Sequence, residues 1–174
     1  MTYCDSLILE YGATVLLPIY EKGILFTMIR ISTKERIVEL GPTKLIDHNL
    51  KYYGSSLRGA GDGARMILGR GNMYPVLFNE KEPQCWFPSK SPQKEDCIWF
   101  ALHQIKDYIE VSKQETKVTF RDGSSFIIDI SKASFDSRVS KAYKLIGRRV
   151  YRTHATQNQM AVAETNESYN TRRT

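Results

Sequence analysis

Residues 116–131, TKVTFRDGSSFIIDIS, decide the fold class. Apolar and polar side chains alternate on either side of Arg121-Asp122-Gly123, and alternation interrupted by an Asp-Gly turn is the pattern of two antiparallel strands joined in a hairpin. Working outward, YPVLF (74–78) and QCWFP (84–88) flank the turn NEKEP, and CIWFALHQI (97–105) follows the polar stretch SKSPQKED. The whole of 74–130 therefore reads as strands. Nearer the N-terminus, TVLLPIY (14–20), ILFTMIRI (24–31) and RIVEL (36–40) are short apolar runs separated by Glu21-Lys22-Gly23 and Ser32-Thr33-Lys34, which predicts further strands joined by tight turns.

The period changes in two places. In GPTKLIDHNLKYYG (41–54), Pro42 suits a first helical turn, Leu45, Ile46, Leu50 and Tyr53 recur at helical spacing, and Gly54 is placed to stop the helix. In SFDSRVSKAYKLIGRRV (134–150), Phe135, Val139, Ala142, Tyr143 and Ile146 share one helical face, while Arg138, Lys141, Lys144 and Arg148 share the other. Gly147 is positioned to end that helix. The expected architecture is α+β: a largely antiparallel β-sheet with a short helix after the first strands and a C-terminal amphipathic helix. Residues 1–150 form one domain, and 151–174 a polar tail with too little apolar surface to offset the entropy of ordering.

Between the two helices, residues 52–72 hold six of the chain's eleven glycines, with Arg58, Arg65 and Arg70 among them. Ala64 to Leu68 favour a helix, but each glycine in a helix costs about 1 kcal/mol relative to alanine, so a loose helix and an ordered loop both stay open here. The charge is segregated in the same region. Residues 51–72 carry +3 and residues 132–152 carry +6, whereas the rest of the chain is neutral or slightly acidic, for a total of +6. Two concentrated basic segments make a local field suited to a polyanion.

Other chemistries fit less well. A phosphate-binding loop of the Walker kind needs Gly-Lys followed by Ser or Thr, and there is no Gly-Lys; Gly59-Ala60-Gly61-Asp62-Gly63 is one residue short of the dinucleotide fingerprint and follows a helix. Cys85, Cys97, His48 and His103 lack the paired spacing of a zinc site, and the three cysteines, at 4, 85 and 97, make no disulfide framework. His103 sits in an apolar run as a hydrogen-bonded structural residue. No carboxylate pair stands at acid–base spacing. No catalytic residue, metal or cofactor is expected. No apolar run approaches the ~20 residues of a spanning helix, so a cytoplasmic protein is expected, with no membrane partner. What remains is nucleic acid: Lys and Arg neutralise phosphates, and glycine lets main-chain amides come close. The candidate residues are Lys51, Arg58, Arg65, Arg70, Arg138, Lys141, Lys144, Arg148 and Arg149. Within this set, Lys141 and Lys144 are expected to bear on every duplex alike, and Arg58 and Arg65 also on sequence preference.

YGAT at 11–14, KYYGSS at 51–56, CIWFALHQI at 97–105, the hairpin of 117–131 and SFDSRVSKAY at 134–143 follow one another in the order seen in the bacterial competence transcription factor family, ComK. The chain resembles that family over about residues 11–150. The resemblance implies a cytosolic activator of DNA-uptake genes that recognises paired A·T-rich boxes in double-stranded DNA, largely through the minor groove. It also implies a homodimer that pairs into a tetramer on the promoter, and a proteolytic adaptor as a partner. Family members can carry a longer basic, aromatic C-terminal extension, whereas the stretch after Arg152 here is neutral and poor in aromatics, which puts activation and adaptor recognition in doubt. A divergent regulatory paralogue that acts through protein partners is the alternative.

Overall fold

A computed structural model describes residues 7–78 and 83–170, with 157–170 as helical backbone. Three strands open the chain, β1 (Ala13–Glu21), β2 (Ile24–Ile31) and β3 (Lys34–Val38). They are joined by tight turns, as the sequence predicts, each of two residues. Lys22 and Gly23 both take positive φ (51° and 80°), the backbone of a turn whose twist matches that of the flanking strands. Two helices follow, α1 (Pro42–Tyr52) and α2 (Leu57–Leu68), then β4 (Val76–Leu77), β5 (Cys85–Pro88), β6 (Trp99–Ala101), β7 (Ile105–Ser112), β8 (Glu115–Phe120), β9 (Ser125–Ile128) and α3 (Lys132–Asn170). One antiparallel sheet has the order β3-β2-β1-β6-β5-β4, and a smaller one the order β7-β8-β9. The expected turn NEKEP falls mostly on residues 79–82, outside the described residues, but β4 and β5 on either side of it pair as expected. Cys4 also lies outside them.

The larger sheet is buried on both faces at its centre, which explains why CWFP and IWFA do not alternate. Trp86 and Trp99 face one core with Leu16, Ile29, Leu45, Ile46 and Leu50 beneath α1. Phe87 and Phe100, their immediate neighbours, face the other core with Val118 and Phe120 of the small sheet and Phe135 and Val139 of α3. Phe87 and Phe100 are cross-strand partners with ring centroids 5.7 Å apart, and Phe135 closes on both rings edge-on.

Four expectations are corrected. The run 97–105 is not one strand: after Ala101 a 3-10 turn, Leu102–Gln104, carries the chain from the large sheet to the small one. His103 sits in that turn, with Nε2 3.0 Å from the Tyr11 carbonyl oxygen, and burial lowers its pKa. On α3, Tyr143 is 59% exposed and Leu145 is buried instead. The helix meets α2 as well as the sheets, so its buried arc is rotated toward Leu145. Gly147 does not end the helix, which continues to Asn170. Tyr53 lies at the rim of the core, partly exposed, its ring stacked toward Phe78.

Candidate nucleic-acid interface

The glycine-rich segment is a helix, and the contacts at its two ends show how it forms. α1 stops at Gly54 (φ +80°), where Gly54 N donates to Lys51 O and Ser55 N donates to Leu50 O, the paired bonds of a glycine C-cap. Ser56 then caps α2, its Oγ accepting from Gly59 N at 3.0 Å. Asp47 of α1 reaches across to accept from Leu57 N at 2.8 Å. Burial pushes the Asp47 carboxyl up, but the Leu57 amide and Lys51 outweigh it and hold the group below its ordinary value. With its first amides bonded from two side chains, α2 tolerates Gly59, Gly61 and Gly63. At Gly61 and Gly63 an added Cβ would meet nothing within 4 Å, so neither packing nor a positive φ requires glycine there.

The apolar side of α2 packs along α3, where Ala64, Ile67 and Leu145 are buried against one another. This contact brings the two basic segments together. Arg148 Nη1 donates to Ile67 O, Lys141 Nζ to Asn72 O at 3.4 Å, and Arg138 to Met73 Sδ at 3.8 Å and Ser134 O at 2.8 Å. Burial lowers the pKa of Arg138, whose Nε is buried without a hydrogen-bond partner among the described residues. Arg149 lines a groove of about 610 Å³ between α2, β4 and α3, whose walls include Gly59, Gly63, Phe78 and Leu145.

The remaining candidates stand apart from those contacts. Arg58, Arg65, Arg70 and Lys144 are exposed and make no hydrogen bond or ion pair with the described residues. Lys51, on the last turn of α1, is paired with Asp47 at 2.7 Å. The sequence already held that signal, since Asp47 and Lys51 are four apart on a helix. Sequence reasoning missed Tyr74, whose hydroxyl donates to Gly69 O at 2.8 Å and helps hold the segment that follows α2. A carbonyl acceptor leaves no mark in a sequence, so nothing there pointed to it.

Elsewhere the titratable groups are structural in their contacts. Tyr108 donates to Asp136 at 2.5 Å and Lys132 donates to the same carboxylate at 3.1 Å, tying the first turn of α3 to the small sheet. Burial, then Asp136, pushes the Tyr108 phenol up to about 12. Cys85 and Cys97 are free thiols, both pushed up by burial. No helix among the described residues is long and apolar enough to cross a membrane.

Comparison with known proteins places this chain in a family. The chain is 24% identical over 102 residues to the competence transcription factor of Bacillus subtilis (strain 168), a match covering 59% of this chain and 53% of that protein. It thus spans about half the length of that relative. No solved structure matches. The family model described as ComK protein matches residues 5–154, nearly the whole described body including α1, α2 and the packed part of α3. The chain belongs to the ComK family.

Proposed function

We propose that this chain is a non-enzymatic, cytoplasmic transcription activator of competence genes that binds A·T-rich double-stranded DNA, mainly through the minor groove, as a homodimer pairing into a tetramer. The observation that carries the reading is the meeting of α2 and α3. α2 with its following segment and α3, far apart in sequence, meet at one seam, and of their cations Arg58, Arg65, Arg70 and Lys144 stand in solvent without a carboxylate partner among the described residues. Lysine and arginine in that arrangement displace counterions from phosphates, and an arginine side chain fits the narrow, electronegative minor groove of A·T tracts. The name of the Bacillus subtilis relative supports the same assignment. A proteolytic adaptor is a further expected partner.

The test is a mobility-shift titration on A·T-rich and G·C-rich duplexes at two ionic strengths. If about six phosphates are neutralised, log affinity falls against log salt with a slope of about −5. Equal affinity for the two duplexes, or indifference to a competitor that fills the minor groove, overturns the reading.

A second reading, a regulator that works through protein partners with weak DNA binding, is favoured by one observation. At the β3 end of the large sheet, Ile24 and Ile37 are 50% and 57% exposed, beside partly exposed Phe26 and Met28. Stable oligomers without appreciable DNA affinity are its expected outcome.

A further inference from the structure

The segment that links α2 to β4, Gly69-Arg70-Gly71-Asn72-Met73, is short, narrow and held on several sides. It leaves α2 at Gly69, whose φ of +86° suits glycine, and turns again at Met73, whose φ of 52° is a conformation that side-chain-bearing residues seldom adopt. Three side chains hold it there, and a fourth holds the end of α2 just before it. Tyr74 donates to Gly69 O, Lys141 to Asn72 O, Arg138 to Met73 Sδ, and Arg148 to Ile67 O at the last turn of α2. Even the space beside the tip is occupied, since a Cβ on Gly71 would stand 3.7 Å from Tyr74 Oη and 3.9 Å from Lys141 Nζ.

Three of those four holders are cations bonded to neutral acceptors. A carbonyl or a thioether satisfies a donor without cancelling its charge, so Arg138, Lys141 and Arg148 keep their positive charges beneath the loop. None of them pairs with a carboxylate among the described residues. In the same segment Arg70 is exposed, bonded to nothing among the described residues, with a glycine on either side. Between Gly69 and Gly71, Arg70 is the single side chain at this point of the segment. A single side chain does not fill a major groove about 12 Å across, which takes a helix or a ribbon, but it matches a minor groove of about 6 Å. The segment around Arg70 is held in the free protein, so the backbone there need not be ordered on binding.

We infer that Arg70 is the residue that enters the minor groove and determines the preference for A·T-rich DNA, while Arg58, Arg65 and Lys144 meet phosphates. The inference rests on the reading that this face binds DNA, and it moves the sequence-reading role from Arg58 and Arg65 on the helix to the loop. An ammonium is more strongly hydrated than a guanidinium, so lysine at this position retains the charge but enters the groove less readily.

The experiment compares the full chain with Arg70→Ala, Arg70→Lys and Arg58→Ala by fluorescence anisotropy on three duplexes of equal length. One is A·T-rich, one G·C-rich, and one carries inosine in place of guanine, which removes the N2 amino group from the minor groove and leaves the major-groove pattern of guanine. The wild-type chain is expected to treat the inosine duplex as it treats the A·T-rich one. Arg70→Ala is expected to lose roughly tenfold or more on those two and little on the G·C-rich duplex, in the range of one specific contact. Arg70→Lys is expected to recover overall affinity but not the preference, and Arg58→Ala to weaken all three alike. If Arg70→Ala weakens all three by the same factor, or Arg70→Lys restores the preference, Arg70 is another phosphate contact and the inference is overturned while the DNA-binding reading stands. If the wild-type chain binds none of the duplexes, the DNA-binding reading fails and takes this inference with it.

Discussion

On α3, Arg138, Lys141 and Arg148 each donate to an atom of residues 67–73, whereas on α2 Arg58 and Arg65 stand in solvent with no bond to the described residues. The two helices carry the same residue types and pack against each other through Ala64, Ile67 and Leu145. Their cations nevertheless do different work. Of those on α3, Arg148 reaches the Ile67 carbonyl in the last turn of α2, where a helix leaves its last acceptors unsatisfied, while Lys141 and Arg138 reach Asn72 O and Met73 Sδ in the segment that follows. Those of α2 are exposed and bond none of those atoms. A count of formal charges treats all of them alike, but Arg58 and Arg65, like Arg70 and Lys144, are available to a polyanion without first breaking a bond to the described residues, whereas Arg138, Lys141 and Arg148 are not.

The contrast is broken most severely at the seam itself. Leu145→Ala removes a buried side chain between the helices and is expected to destabilise the fold by about 2–4 kcal/mol, read by denaturant unfolding. DNA binding should fall with it, because both groups of cations lose their shared frame. Arg148→Leu is a narrower disruption. It frees Ile67 O at the end of α2, and since Arg148 is largely exposed and water can replace it, a loss of about 1 kcal/mol is expected. A change as small as that of Arg58→Ala would put Arg148 with the solvent-facing group.

Gly61→Ala sharpens the comparison from the other side. Nothing lies within 4 Å of the added methyl and φ is helical, so α2 is expected to gain about 0.5–1 kcal/mol, measured as a higher melting temperature. A loss of stability would mean that α2 is held in place by something other than a helix on a packed seam. The smallest effect is that of acid. Asp47, which caps α2, and Asp136, which anchors α3, are both held below the ordinary value of 3.8 in the folded chain. Folding therefore favours their charged forms. Their contributions are complete above about pH 4 and fade as the pH falls through the lower folded values. Asp47→Asn should flatten that acid limb, and an unchanged acid profile would remove Asp47 from the account.

Much of this fold was legible where local chemistry decides it. Lys22-Gly23 and Arg121-Asp122-Gly123 mark hairpins because few residues accept positive φ, and Asp122 bonds Ser124 N at 2.8 Å within the second turn. Pro42 and Gly54 bound α1 for the same kind of reason. α2 was not decided by its residues, since glycine there gives no helical preference and the helix depends on Ser56, Asp47 and the packing of Ala64 and Ile67. The turn at Leu102–Gln104 was hidden because only His103 and Gln104 interrupt the apolar run 97–105, both strands it joins being buried at that point. For the site, residue type named the cations and α3 periodicity grouped them. Which of them bond to the main chain was invisible, because their acceptors are carbonyl oxygens, which every residue possesses.

The most direct measurement of the central claim is the salt dependence of binding to an A·T-rich duplex by the wild-type chain and by Arg58→Ala/Arg65→Ala. With the melting temperature unchanged, the double variant is expected to lower the steepness of log affinity against log salt by about 2 per protomer. An unchanged slope, with full affinity retained at physiological salt, would contradict the assignment of the solvent-facing cations of α2 to the phosphates of DNA.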